Sequence, residues 1–116
     1  MYTIVSRDTV GDGYIFIIRL LIECSVFKAH FPTVPISPGA CIIQIATELI
    51  SLCHASPLAL SGARGVKFLH VLSPSDTDEI TVSIQQLSDS AEYSVVFKDK
   101  RFIYAKLTIT CTTTTL

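Results

Sequence analysis

Residues 40–53 are the one stretch of this chain that reads as a long helix, and almost everything on it is apolar. Its polar members are Gln44, Thr47, Glu48 and Ser51. Their spacing of i, i+3, i+4 and i+7 gathers them into one narrow stripe, so such a helix is buried on most sides. The run opens on Ser37-Pro38-Gly39. Serine can serve as N-cap, and proline suits the first helical position, where its missing N–H is no loss. Pro57 helps to end the helix. A buried helix needs other elements to cover it.

Strands supply the cover. Ile80, Val82 and Ile84 alternate with Thr81, Ser83 and Gln85, the period-2 pattern of a half-buried strand. Tyr93, Val95 and Phe97 repeat it, and Ile103, Ala105, Leu107, Ile109 and Cys111 extend it over a longer strand. Short turn-rich connections, Leu87-Ser88-Asp89-Ser90 and Lys98-Asp99-Lys100, join the three into an antiparallel meander. Two further strands are expected at residues 14–22 and 64–69. The Thr112 to Thr115 run is β-prone and should fray from the last strand. One buried helix with a mainly antiparallel sheet makes the fold class α+β.

The 116 residues suffice for one domain, 1–116, and are too few for two. Hydrophobic residues make up 49% and charged ones 16%. A domain this small cannot bury that much apolar surface alone, so the excess should meet a partner subunit or line a lipophilic pocket. The longest apolar stretch, residues 14–22, is broken by Arg19 and falls short of the roughly 20 residues a membrane helix needs. The N-terminus lacks a basic region followed by an apolar one, so secretion is not indicated. A formal charge of −1 without a basic run argues against nucleic acid as partner. Cys24, Cys41, Cys53 and Cys111 are widely spaced with no C-x-x-C pair, as expected of reduced, buried cysteines in a cytoplasmic protein.

Chemistry is concentrated just before the helix, in Phe27-Lys28-Ala29-His30-Phe31-Pro32-Thr33-Val34-Pro35-Ile36-Ser37-Pro38-Gly39. Three prolines in seven residues stiffen a loop that runs into the helix, and a rigid loop fixes a catalytic side chain in advance. Helix N-termini leave backbone N–H groups unpaired, with partial positive charge. Gly39 has no side chain to block a ligand, so its N–H could polarise a bound carbonyl. His30, with an ordinary pKa of about 6.5, is a natural general base. The plain alternative is a structural histidine.

The run His-Phe-Pro-x-x-Pro-x-x-Pro-Gly, from His30 to Gly39, resembles the signature of the hot-dog 3-hydroxyacyl-(acyl carrier protein) dehydratases at every fixed position. Downstream, Val66-Lys67-Phe68-Leu69 followed by Leu72-Ser73-Pro74 is similar to that family's next strand and turn. The resemblance covers roughly residues 26 to 86. It implies a hot-dog fold, with an antiparallel sheet wrapped around one long helix, and a dimer with the active site in an interfacial tunnel. It implies a histidine base, taken here by His30, and a Glu or Asp on the partner's helix that protonates the departing hydroxyl.

That acidic residue is expected fourteen positions after the histidine, where this chain has Gln44. Glutamine has no dissociable proton to give, though it can donate a hydrogen bond to a hydroxyl or fix a water. Glu48 stands one turn further along the same face, about 6 Å away along the axis. It could substitute for the acid, or form a structural ion pair with Arg64 or Lys67. Ala29 and Thr33 also depart from the family's usual glycines. The expected substrate contacts are Phe31, Pro38, Ala40, Glu48 and Phe68.

Cys53-His54 invites a nucleophile reading, but a helix C-terminus disfavours a thiolate, so packing is the better reading of Cys53. His54 is placed to meet free helix carbonyls. His70 reads as a loop or surface residue. Lys98, Lys100 and Arg101 form a solvated group that could also dock an acidic carrier protein. The expected activity is dehydration of a 3-hydroxyacyl thioester, carried on acyl carrier protein, with no metal or redox cofactor needed. A non-catalytic acyl-binding hot-dog subunit paired with an active homologue is the alternative, favoured by Gln44. A thioesterase is the third, with Glu48 as the only acidic residue on the helix to activate water.

Overall fold

The computed structural model describes residues 2–20, 39–54, 58–70, 72, 79–87 and 91–113. Among them are six strands and one helix: β1 (Tyr2–Val10), β2 (Gly13–Leu20), α1 (Gly39–His54), β3 (Leu58–Phe68), β4 (Glu79–Gln86), β5 (Glu92–Lys98) and β6 (Ile103–Thr113). The strands form one sheet in the order β1-β2-β4-β5-β6-β3, with every neighbouring pair antiparallel. The α+β class is thus the one the sequence pattern predicts.

The helix packs as its stripe requires. Ile42, Ile45, Ala46, Leu49 and Ile50 are buried against Phe16 and Ile18 of β2, Val82 of β4, Phe97 of β5 and Leu107 and Ile109 of β6, all in one core cluster. Gln44 and Glu48 are exposed, and Thr47 and Ser51 are half-buried. The last two satisfy their hydroxyls within the helix: Thr47 Oγ1 donates to the Ile43 carbonyl at 2.9 Å and Ser51 Oγ to the Thr47 carbonyl at 3.1 Å. Ser51 Oγ also accepts from Leu58 N at 3.1 Å, which ties the helix end to the start of β3.

The meander β4-β5-β6 follows the alternation in the sequence, with one irregularity. Phe97 pairs with Ala105 while Lys98 pairs with Ile103, so Tyr104 is an extra residue. This bulge turns Tyr104 inward and leaves Ile103 exposed, where strict alternation would bury it. Tyr104 donates to Asp99 Oδ2 at 2.5 Å, and Asp99 Oδ1 accepts from the Arg101 and Phe102 amides at 2.8 and 3.0 Å. Burial alone would raise the Asp99 pKa, but these three hydrogen bonds and nearby Arg101 outweigh it and hold the carboxyl below its usual value. A depressed carboxylate pKa contributes stability above the unfolded value, and that stability is lost as pH falls through the folded value. Asp99→Ala is therefore expected to cost roughly 1 kcal/mol or more in urea unfolding at pH 7. The difference from wild type should shrink below about pH 4.

β1 is the strand the alternation does not announce. Ile4 and Val5 are both exposed, and the pairing with β2 shifts register between Ile4 and Ser6, so no period-2 pattern survives. Its only clear sequence signal is the turn, where Gly11 takes a φ of 59°, which glycine adopts without strain. β1 and β3 are the two edges of the sheet. Exposed apolar side chains lie on both: Ile4 and Val5 on β1, and Leu60, Val66 and Phe68 on β3. No helix among the described residues is long and apolar enough to cross a membrane.

Candidate active site

Two of the expected site residues meet at the start of α1. Gly39 is the first residue of the helix and Phe68 the last of β3. A Cβ built on Gly39 would lie 2.8 Å from Cζ and 3.0 Å from Cε2 of the Phe68 ring. That is closer than non-bonded carbons approach, so the ring occupies the space a side chain would need. The ring is half exposed, and so forms part of the surface around the helix N-terminus. Gly39→Ala is expected to push the ring aside with little change in melting temperature, because an exposed ring can move. If a thioester is held there, as the resemblance implies, its turnover should fall about tenfold to a hundredfold, since a displacement of about 1 Å can cost that much. Unchanged kcat/KM with 3-hydroxyacyl substrates would show that neither residue touches the reacting group.

One and a half turns further along, Gln44 and Glu48 face a groove of about 610 Å³ whose other wall is Tyr2, Thr3 and Ile4 of β1. The three polar side chains are joined. Tyr2 OH donates to Glu48 Oε1 at 2.9 Å, and Gln44 Nε2 donates to Glu48 Oε2 at 3.2 Å. Burial, and then the hydrogen bond to Glu48 and its charge, push the Tyr2 phenol well above its ordinary pKa. The Glu48 carboxylate can only accept, so the Tyr2 hydroxyl is the donor of this pair. Both oxygens of Glu48 are engaged.

These contacts change the sequence reading of Glu48. An ion pair with Arg64 or Lys67 was expected; instead its partners are Tyr2 and Gln44, and Arg64 Nε pairs with Glu92 at 3.0 Å. Arg64 lies on β3, and its side chain reaches across β6 to Glu92 of β5. Gln44, expected to meet a hydroxyl or a water, bonds here to a side chain. Tyr2 was not anticipated. It belongs to the strand that the period-2 pattern missed, and a lone tyrosine near a chain start carries no signal of its own.

His30, Phe31 and Pro38 lie outside the described residues, as do Ser37, Pro57 and Cys24. Ala40 is in the first turn of α1. No disulfide joins the three described cysteines. Burial pushes the Cys53 thiol up, with Arg7 and a backbone hydrogen bond opposing it, so Cys53 is not a ready thiolate. His54 does not meet a helix carbonyl: its Nε2 is 2.6 Å from Tyr93 OH. Arg7 takes that role, donating from Nη2 to the Leu52 carbonyl at 3.3 Å, a cation at the helix C-terminus. His70 is exposed and its ring lies 4.3 Å from that of Phe102. Arg101 sits over the Phe102 ring at 5.4 Å.

A sequence model of the ApeI-like family, ApeI dehydratase, matches residues 7–106. The chain belongs to that dehydratase family. A 3-hydroxyacyl-[acyl-carrier-protein] dehydratase FabZ from Latilactobacillus sakei is 33% identical over 72 residues, which cover 56% of this chain and 51% of the relative. The match thus spans about half the length of that curated protein. Among solved structures, the dehydratase heterocomplex ApeI:P from Xenorhabdus doucetiae has a TM-score of 0.83 at 17% identity, covering 96% of this chain and 97% of the other. An uncharacterised protein from Erwinia carotovora subsp. atroseptica has a TM-score of 0.76 at 11% identity, with 97% of each chain covered. At these identities the structural likeness establishes the hot-dog fold. The ApeI-like assignment rests on the sequence match.

Proposed function

We propose that this ApeI-like protein dehydrates 3-hydroxyacyl thioesters, carried on acyl carrier protein, to trans-2-enoyl thioesters. The reading rests on one observation above others: the intact run from His30 to Gly39 in a chain of the dehydratase family. In the proposed reaction His30 removes the α-proton, and the thioester carbonyl is polarised by the Gly39 N–H. The electron pair of the broken C–H bond becomes the double bond as the C–O bond breaks. The departing oxygen leaves as water. Because Gln44 has no proton to give, that proton comes from the His30 imidazolium or from a water that Gln44 holds. Phe31, Pro38, Ala40 and Phe68 contact the acyl thioester, and no cofactor enters the chemistry.

The active unit in this reading is a dimer, with His30 of one subunit facing Gln44 of the other. Support comes from the apolar surplus on the edge strand β3, where Leu60, Val66 and Phe68 are exposed. One observation favours a second reading, an acyl-binding subunit that pairs with an active homologue: the residue at the acid position is Gln44. The assay that separates the two follows enoyl product by mass spectrometry from 3-hydroxyacyl carrier proteins of several chain lengths. Product from the protein alone supports the enzyme; none at any chain length supports the binding subunit.

A further inference from the structure

The strongest unexplained feature of the groove is the direction of its hydrogen bonds. A carboxylate accepts and cannot donate, so the amide of Gln44 meets Glu48 Oε2 through Nε2. Tyr2 OH fills the other oxygen, Oε1, and its raised pKa keeps it a donor. With Nε2 turned to Glu48, the Gln44 carbonyl oxygen Oε1 is left over. Among the described residues it has no hydrogen-bond partner, and Gln44 lines the groove. A side chain that could otherwise present either end of its amide is held in one sense.

We propose that Tyr2 and Glu48 are positioning residues that hold Gln44 as a hydrogen-bond acceptor for a substrate hydroxyl. The inference rests on the dehydratase reading for the identity of that hydroxyl, the β-hydroxyl of a 3-hydroxyacyl chain. An acceptor at this position takes the hydroxyl's hydrogen and leaves the oxygen lone pairs open to the proton that must arrive there. A donor would occupy one of those lone pairs. Gln44 itself transfers no proton. Both partners are needed: Glu48 selects which end of the amide faces it, and Tyr2 keeps the exposed Glu48 side chain from swinging into solvent.

The test compares binding and turnover. Amide-linked 3-hydroxyacyl-pantetheine probes, which do not eliminate readily, are titrated calorimetrically beside the same series without the hydroxyl. The native protein should prefer the hydroxylated series by about three- to tenfold, the worth of one neutral hydrogen bond. Gln44→Ala should erase the preference. Glu48→Gln should erase it too, because the new amide can donate to Gln44 and turn its N–H groups outward. Adding Glu48→Gln to Gln44→Ala should cost nothing further, since the residues act as one unit. Tyr2→Phe should fall between. With carrier-linked substrate, Glu48→Gln should lower kcat about tenfold to a hundredfold and raise KM by no more than the lost preference, about three- to tenfold. Thermal melting of each variant separates these effects from unfolding.

A Glu48→Gln protein that keeps both the hydroxyl preference and kcat overturns the proposal, as does a native protein with no preference or no binding. A native protein that shows a Glu48-dependent preference but no turnover keeps the positioning role and removes the dehydratase reading instead.

Discussion

Replacing His30 with alanine is expected to lower the dehydration rate by at least about 10²- to 10⁴-fold, the usual worth of a positioned general base. The α-proton of a thioester is only weakly acidic, and water at neutral pH is a poor base for it. An imidazole with an ordinary pKa near 6.5 is largely unprotonated at pH 7 to 8 and matched to the task. In the proposed mechanism the same imidazole has a second duty, because Gln44 offers no proton to the departing oxygen. Loss of His30 therefore removes the base and one source of the returning proton together. The fold should survive, because the core that holds the sheet to α1 is made of Phe16, Ile45, Leu49, Val82, Phe97 and Ile109, all fully buried and all outside this loop. The check is enoyl product by mass spectrometry alongside melting temperature and mass in solution. Retained turnover in a folded His30→Ala protein would remove His30 from the mechanism and with it the reading of the whole motif.

Much of the architecture could be read before any coordinates because it follows from burial. The stripe of Gln44, Thr47, Glu48 and Ser51 on an otherwise apolar run fixed which side of α1 faces out, and β4, β5 and most of β6 alternate because one face of each is buried. The misreadings occur where burial stops dictating pattern. β1 is exposed along nearly its whole length and bulged at Val5, so nothing in its sequence has to alternate. β3 was expected from residue 64 but begins at Leu58, its first half disguised by Ser61, Gly62 and two register shifts. At the site, residue types were legible and partners were not. Glu48 attracted the expectation of an arginine or lysine because opposite charge is the only long-range cue a sequence offers. The actual contacts, to Tyr2 forty-six positions away and Gln44 one turn back, depend on a sheet edge that the pattern did not reveal.

Gln44→Glu is expected to have the largest effect in the opposite direction, a gain of about 10²- to 10⁴-fold in the dehydration rate. Restoring a carboxyl at the family's acid position would not alone ensure that it carries a proton at neutral pH; the neighbour does that. Nε2 of Gln44 is 3.2 Å from Glu48 Oε2. Two carboxylates at that distance would repel by about 1 to 5 kcal/mol as the effective dielectric falls from about 80 to 20. The pair therefore keeps one proton to a higher pH than either group would alone. Tyr2 already donates to Oε1 of Glu48, so the shared proton lies between the new carboxyl and Oε2. A proton held above the ordinary glutamate range is available for the leaving oxygen below the raised pKa and lost as pH rises through it. The gain should accordingly be greatest in mildly acidic buffer and fade toward alkaline pH. Adding Glu48→Gln removes the repulsion, lets the new carboxyl ionise at lower pH, and should move the fall in rate to more acidic values. A measured pH–rate profile for the two variants decides the matter. If Gln44→Glu gains nothing at any pH, the groove beside Tyr2 and Glu48 is not where the hydroxyl departs. If the native protein is inactive and only the variant turns over, the chain still binds substrate but relies on a partner subunit for the acid.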